Sequence, residues 1–96
     1  MNTLLRTAEF NAWLTSLRDK VALARIAQRL DAMVAGHFGD CEPVGEGISE
    51  MRVHVGAGYR IYFTRRGEVV YLLLSGGTKS SQRRDIKRTK EMLKWL

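Results

Sequence analysis

Apolar residues in the first third of the chain recur at the three- and four-residue spacing that is typical of amphipathic helices. Thr7 precedes one such run, residues 8–17, and Asp19 precedes a longer run that stops at Gly36. Threonine and aspartate are favoured N-caps and glycine often follows a helix, so we predict two helices here. Their inward-facing positions are predicted to be Phe10, Trp13, Leu14, Leu17, Leu23, Ile26, Ala27, Leu30, Met33 and Val34.

From residue 48 onward the apolar residues recur at every second position, which indicates β-strands. Residues 48–55 and 59–66 each alternate between apolar and polar positions. Residues 69–75 are almost continuously apolar, as expected for a strand covered on both faces. Residues 2–6 can add a short first strand. The segment 37–47 contains three glycines and the only proline, and we predict that it is a loop.

The sequence predicts a basic helix at the end of the chain. Ser80 or Ser81 is its expected N-cap, and it is expected to end at about Trp95. Its predicted inward positions are Ile86, Thr89, Leu93 and Leu96, and the basic stripe beside them comprises Arg83, Lys87, Lys90 and Lys94. The whole chain, residues 1–96, is therefore predicted to be one α+β domain. Its predicted order is (β)ααβββα, with an antiparallel sheet and the helices packed on one side.

The charge is unevenly distributed along these 96 residues, and this suggests a polyanionic partner. Residues 1–50 carry 5 Lys/Arg against 7 Asp/Glu, a net charge of −2. Residues 51–96 carry 11 Lys/Arg against 3 Asp/Glu, a net charge of +8. Cys41 is the only cysteine, and no metal-ligand spacing is visible, so we expect neither a disulfide, nor a metal, nor another cofactor. With no signal peptide or membrane span visible, a cytoplasmic location is expected.

The segment LLLSGGTKSSQRRD, residues 72–85, has the strand, glycine turn and basic helix start of a phosphate-binding loop. It lacks the first glycine of the P-loop pattern, and Thr78 precedes Lys79 where that pattern requires a glycine. The predicted antiparallel sheet also differs from the parallel sheet that carries nucleotide loops. We therefore expect neither a mononucleotide nor a dinucleotide at this turn.

Five polar side chains on neighbouring predicted strands form the candidate site. Arg52 and His54 share one face of the strand 48–55, Arg60 and Tyr62 share one face of the next, and Lys79 follows the last strand. Because Ile61 and Phe63 are expected to face the core, Arg60 is expected on the solvent-exposed face. Such a cluster could cleave RNA without a metal, with histidine as acid or base and the cations stabilising the phosphorane.

The sequence resembles a known family at these same residues. GISEMRVHVGAGYRIYF, the LLL run, and SGGTKSSQRRDI followed by a lysine-rich helix are similar to the HigB-type "addiction module killer" branch of the RelE/ParE toxin superfamily. The resemblance runs from FNAWL to the C-terminus and is most specific in residues 47–86.

The resemblance implies the toxin of a type II toxin–antitoxin system, which cleaves mRNA on the ribosome and inhibits translation. It assigns the catalytic positions to Arg52, His54, Arg60 and Lys79. RNA or phosphate contacts are expected at Tyr62, Arg83, Arg84 and Lys87. The RelE toxins also have a catalytic tyrosine in the last helical segment, where this chain has none. Asp85 can serve there as acid or base, or can instead stabilise the helix start through the helix dipole.

The partner that the resemblance implies is a cognate antitoxin, expected to be a small helix-turn-helix DNA-binding protein. Operator DNA would then be contacted only through the antitoxin, and no membrane is involved. Two alternatives remain open from the sequence. One is a ParE-like poison of DNA gyrase that is not an enzyme. The other is a catalytically degenerate module that binds nucleic acid or protein.

Overall fold

The computed structural model describes all 96 residues as five strands and three α-helices. The strands are β1 (Thr3–Arg6), β2 (Cys41–Gly45), β3 (Ile48–Val53), β4 (Tyr59–Arg65) and β5 (Val70–Thr78). The helices are α1 (Ala8–Ser16), α2 (Lys20–Val34) and α3 (Gln82–Leu93), and a 3-10 turn, Lys79–Ser81, leads into α3. The predicted α+β class is confirmed. None of the helices is both long and apolar enough to cross a membrane.

The strands form one mixed sheet in the order β1-β5-β4-β3-β2. β1 lies parallel to β5, whereas the other neighbouring pairs are antiparallel, so the prediction of a wholly antiparallel sheet is wrong at this one edge. The pair is parallel because α1 and α2 carry the chain across the sheet between β1 and the β2–β5 meander.

The segment 37–47 is not only a loop, because β2 lies within it and pairs with β3. Its glycines make the tight turn of this hairpin: Gly45 has a φ of 104°, and the next residue, Glu46, has a φ of 56°. Pro43 is tolerated because β2 is an edge strand, where a missing N–H donor breaks no ladder of hydrogen bonds. Glycine and proline therefore mark a hairpin in this segment rather than an unstructured connection.

The larger hydrophobic core lies between the sheet and the first two helices. Thr7 and Asp19 cap these helices as predicted, since their side chains accept hydrogen bonds from the backbone N–H groups of Phe10 and Ala22. The buried core residues on this face are Phe10, Ala22, Ile26, Leu30, Met33, Met51, Val53, Tyr59, Ile61, Phe63 and Leu73. Most of the predicted inward positions are confirmed, but Ala27 is exposed.

Helix α3 covers the opposite face of the sheet, so the prediction that all helices pack on one side is wrong. A second, smaller cluster joins Ile48, Tyr62 and Leu74 to the half-buried Ile86 and Leu93 of α3. The reason lies in β5, whose consecutive leucines are apolar on both faces and need a cover on each. α3 ends at Leu93, and the predicted inward residue Leu96 is exposed.

The glycine pair near the end of β5, Gly76 and Gly77, lets a helix residue approach the strand closely on each face. A Cβ atom added to Gly76 would lie 2.5 Å from Cε2 of Trp13 on α1. A Cβ atom added to Gly77 would lie 2.7 Å from Cγ of Asp85 on α3. Side chains at these two positions would therefore push both helices away from the sheet.

We expect Gly76→Ala to lower the free energy of unfolding by about 1–3 kcal/mol, because the new methyl group overlaps the indole ring in a packed core. Gly67→Ala is the matched control, since its added Cβ atom would lie 3.8 Å from the nearest atom, Cβ of Val70. Urea denaturation followed by circular dichroism measures both variants. Equal stability of the two variants would show that the close approach of α1 to β5 is not required.

Candidate functional site

The predicted basic residues meet on the α3 face of the sheet, at the end where β5 passes into the turn before α3. Arg52 on β3 lies directly opposite Arg60 on β4, and Arg60 lies opposite Gly77 on β5. The prediction that these two arginines are neighbours on one face is confirmed. Two like charges opposite one another repel, so each guanidinium needs its own compensating contacts.

Three carboxylates surround Arg52, which is one quarter exposed. Its Nε atom lies 3.1 Å from Oε1 of Glu50, its Nη2 atom binds Oε2 of Glu42, and its Nη1 atom lies 3.8 Å from Oδ1 of Asp40. The hydrogen bond with Glu50, followed by that with Glu42, raises the pKa of Arg52 above its ordinary value. Arg52 is therefore a cation that the chain itself neutralises.

Arg60 has a different environment, because it is buried and no carboxylate lies within ion-pair distance. Only 6% of its surface is exposed, which contradicts the expectation that it lies on a solvent-exposed face. α3 covers this face, and the sequence prediction had placed α3 on the other side. Its Nη1 atom donates to the carbonyl of Gly58 at 3.0 Å, while its buried Nε atom has no hydrogen-bond partner. A buried cation with an unsatisfied donor is unfavourable unless an anion approaches it.

Lys79 begins the turn beyond β5, and its backbone N–H donates to the same Gly58 carbonyl at 2.8 Å. Gly58, with a φ of 74°, brings Arg60 and Lys79 close together. A Cβ atom at Gly58 would lie 3.3 Å both from Nη1 of Arg60 and from Cβ of Lys79. The side chain of Lys79 is exposed. The guanidinium of Arg60 and the backbone N–H of Lys79 therefore share one carbonyl acceptor.

His54 follows β3 and pairs with Asp40, which the sequence did not predict to be a site residue. Nε2 of His54 lies 2.6 Å from Oδ2 of Asp40, and 66% of the histidine side chain is exposed. This hydrogen bond is the main reason that the pKa of Asp40 lies below its usual range. Asp40 holds the imidazole ring in place and leaves Nδ1 facing away from the pair. The glycine-rich segment around Asp40 gave no sign of this contact.

Tyr62 is completely buried beneath α3, which contradicts its predicted contact with RNA. Its hydroxyl group donates to Oε2 of Glu50 at 3.2 Å. Burial, and then the neighbouring Glu50, raises the pKa of Tyr62 well above its ordinary value. Tyr62 is therefore a neutral hydrogen-bond donor that holds Glu50 in place beneath the site.

Asp85 lies in the first turn of α3 and is 9% exposed. Oδ2 of Asp85 accepts a hydrogen bond from Oγ of Ser81 at 2.5 Å, and the carboxylate lies against Gly77. Of the two roles predicted for Asp85, these contacts fit the stabiliser of the helix start better than the acid or base.

Exposed cations continue along α3 from the buried site. Arg83, Arg84 and Lys87 all lie at its surface, and none has a carboxylate within ion-pair distance. Arg88 differs because its Nη2 atom lies 2.7 Å from Oε1 of Glu9 on α1. The predicted phosphate contacts at Arg83, Arg84 and Lys87 therefore remain available to a partner.

Glu50 and Gln82 are further members of the site that sequence reasoning did not assign. Nε2 of Gln82 lies 3.1 and 2.8 Å from the two carboxylate oxygens of Glu50. One sequence signal could have identified Glu50, because it precedes Arg52 by two residues and so shares its strand face. Nothing in the sequence pattern indicates the contact of Gln82, which depends on the side of the sheet that α3 covers.

No family model matches the sequence. The chain is similar to an "Uncharacterized protein" of Haemophilus influenzae, with 42% identity over 84 residues. The matched region covers 88% of this chain and 85% of that protein.

We expect the phenol of Tyr62 to stay protonated when the pH rises past the ordinary tyrosine pKa of about 10. The pKa of Tyr62 is higher in the folded than in the unfolded protein. Its contribution to the free energy of unfolding is therefore fully present below about pH 10 and is lost as the pH rises through the folded-state pKa. The ionisation of Tyr62 is measured by the phenolate absorbance of the parent and of Tyr62→Phe during an alkaline titration. If the parent instead shows a phenol that ionises at about pH 10 and that is missing from Tyr62→Phe, the raised pKa of Tyr62 is wrong.

Proposed function

This chain belongs to the same family as the Haemophilus influenzae protein, and we propose that it is the toxin of a type II toxin–antitoxin system. The proposed activity is cleavage of mRNA on the ribosome without a metal. Its support is the resemblance of residues 47–86 to the HigB-type toxins, together with the cationic site at the end of the sheet.

Arg60 is the observation that carries the proposal. Its guanidinium is buried, and its Nε atom is unsatisfied, while Lys79 and the start of α3 lie beside it. A buried positive charge that forms no ion pair attracts an anion strongly, because water screens it little. A phosphate oxygen from RNA is the anion that this environment and the exposed cations of α3 favour.

The proposed reaction is attack of a ribose 2′-hydroxyl on the adjacent phosphorus, followed by loss of the 5′-oxygen of the next nucleotide. The 2′-oxygen forms a bond to phosphorus, the 5′-oxygen leaves, and a cyclic phosphate remains. Lys79, Arg60 and the outer nitrogens of Arg52 stabilise the negative charge that develops on the phosphorane oxygens. His54, held by Asp40, accepts the proton of the attacking 2′-hydroxyl, since histidine is the side chain suited to acid and base roles near neutral pH, and the departing 5′-oxygen takes a proton from water.

A non-catalytic binding module is the second candidate, and the environment of Arg52 favours it. Glu42, Glu50 and Asp40 already surround this arginine, and Asp40 also binds His54. A nucleic acid or an acidic peptide would then bind only to the exposed cations Lys79, Arg83, Arg84 and Lys87, without reaction.

We expect Lys79→Ala to fold as the parent does and to lower mRNA cleavage by about a hundredfold, because an exposed transition-state cation is lost. Arg66→Ala is the matched control. It also removes one exposed cation, but it lies in the β4–β5 turn at the opposite end of the sheet. Growth after induction and sequencing of RNA 5′ ends measure both variants at equal expression.

Full cleavage by a folded Lys79→Ala protein would contradict the proposed site. Intact mRNA together with DNA breaks after induction of the parent would identify a gyrase poison instead. Growth arrest with neither lesion would favour the binding module.

The proposed partner is a small helix-turn-helix antitoxin with an acidic segment that binds the exposed cations of α3. Opposite charges speed association and select the partner, so the complex should weaken as the salt concentration rises. We expect a product of the adjacent reading frame to co-purify with this chain and to restore growth. Purification of an active toxin alone from an unharmed host would contradict this partner.

A further inference from the structure

We propose that Glu50 is the positioning residue of this site, and that its buried carboxylate orients the guanidinium of Arg52. The inference rests on the proposed function for its catalytic consequence and on the structure alone for its geometry. Glu50 has no exposed surface, yet it contacts side chains from three different elements. Two of these partners, Tyr62 and Gln82, do not touch RNA in the proposed mechanism.

Each contact of Glu50 is made to a donor, as an ionised carboxylate requires. Oε1 accepts from Nε of Arg52 and from Nε2 of Gln82, both at 3.1 Å. Oε2 accepts from the hydroxyl of Tyr62 at 3.2 Å and from Nε2 of Gln82 at 2.8 Å. Because a buried carboxylate is favourable only when it is paired and hydrogen-bonded, these donors hold it in one orientation.

The three carboxylates around Arg52 differ in position, and this difference defines their roles. Glu50 binds the inner Nε atom and is buried, whereas Glu42 binds the outer Nη2 atom and is 59% exposed. Asp40 lies near the outer Nη1 atom and is 44% exposed. Glu50 therefore fixes the direction of the guanidinium. Glu42 and Asp40 occupy the two outer nitrogens, where a phosphate oxygen would bind.

Gln82 extends the effect of Glu50 from the sheet to the start of α3. It is the first residue of this helix, three positions after Lys79. The amide of Gln82 binds both carboxylate oxygens of Glu50. A change in Glu50 therefore affects Arg52 on the sheet and Gln82 at the start of α3. The network thereby couples the direction of Arg52 to the placement of the turn that carries Lys79.

Nuclear magnetic resonance of the arginine Nε–H groups tests the geometry in the parent chain, without RNA and without activity. A hydrogen bond to a buried carboxylate slows exchange with water. We expect the Arg52 Nε–H proton to exchange at least about tenfold more slowly than that of Arg83, which is exposed. Equally fast exchange at the two arginines would overturn the proposed orientation.

The comparison of Glu50→Gln with Glu42→Gln separates positioning from loss of charge. Both remove one negative charge from the surroundings of Arg52. We expect Glu50→Gln to abolish the slow exchange at Arg52 and to lower cleavage about tenfold or more, because a misdirected group lowers the rate strongly. We expect Glu42→Gln to keep the slow exchange and to raise cleavage, because it removes a competitor of phosphate.

Equal losses of cleavage in the two variants would overturn the positioning role, as would a folded Glu50→Gln protein with parental cleavage. If Glu50→Gln does not fold, the exchange rates in the parent and in Glu42→Gln still decide the geometry. A parent that shows slow exchange at Arg52 but no cleavage would contradict the proposed function and leave the orienting contact intact.

Discussion

The close approach of two helices to the glycine pair at the end of β5 is the constraint on which the site depends. Trp13 of α1 packs over Gly76 on one face, and Asp85 of α3 packs over Gly77 on the other. Because neither position has a side chain, β5 can lie between the two helices at its last residues. The start of α3 is thereby held against the sheet, and Lys79 and Gln82 are placed beside Arg60 and Glu50.

The two faces of the sheet contribute differently to the structure. The α1–α2 face is filled by apolar side chains and supplies most of the burial that stabilises the fold. The α3 face has only a small apolar cluster and buries six polar or charged residues: Glu50, Arg60, Thr64, Ser75, Asp85 and Thr89. Such groups contribute little net stability, but those that are hydrogen-bonded to α3 restrict the helix to one placement. Ser75 and Thr89, whose hydroxyl oxygens lie 2.6 Å apart, are one example.

The sequence predicted the type of every helix and strand except β2, because the period of its apolar residues is clear and because Thr7 and Asp19 are strong caps. It failed where an outcome depends on the packing of distant segments. The side of the sheet that α3 covers follows from β5, which is apolar on both faces. Residue alternation correctly placed Arg52 and Arg60 on one face, but it could not show that α3 would bury Arg60.

The sequence did not predict the carboxylates around Arg52, because their contacts also depend on the packing of distant segments. Asp40 and Glu42 approach Arg52 only because β2 pairs with β3, and turn residues alone do not reveal an edge strand. Glu50 was visible in the alternation of β3, but an acidic residue beside an arginine on a strand usually indicates a surface ion pair. Its burial depends on the partners that α3 and β4 bring to it.

The chemical ends of the cleaved RNA test the central claim most directly. Attack by the 2′-hydroxyl on the adjacent phosphorus leaves a cyclic phosphate on one fragment and a free 5′-hydroxyl on the other. In a reconstituted translation reaction with the purified chain, we expect the downstream fragment to require phosphorylation before its 5′ end can be ligated. A 5′-phosphate on that fragment would show that water attacked instead, and it would contradict the roles proposed for Arg60, Lys79 and His54.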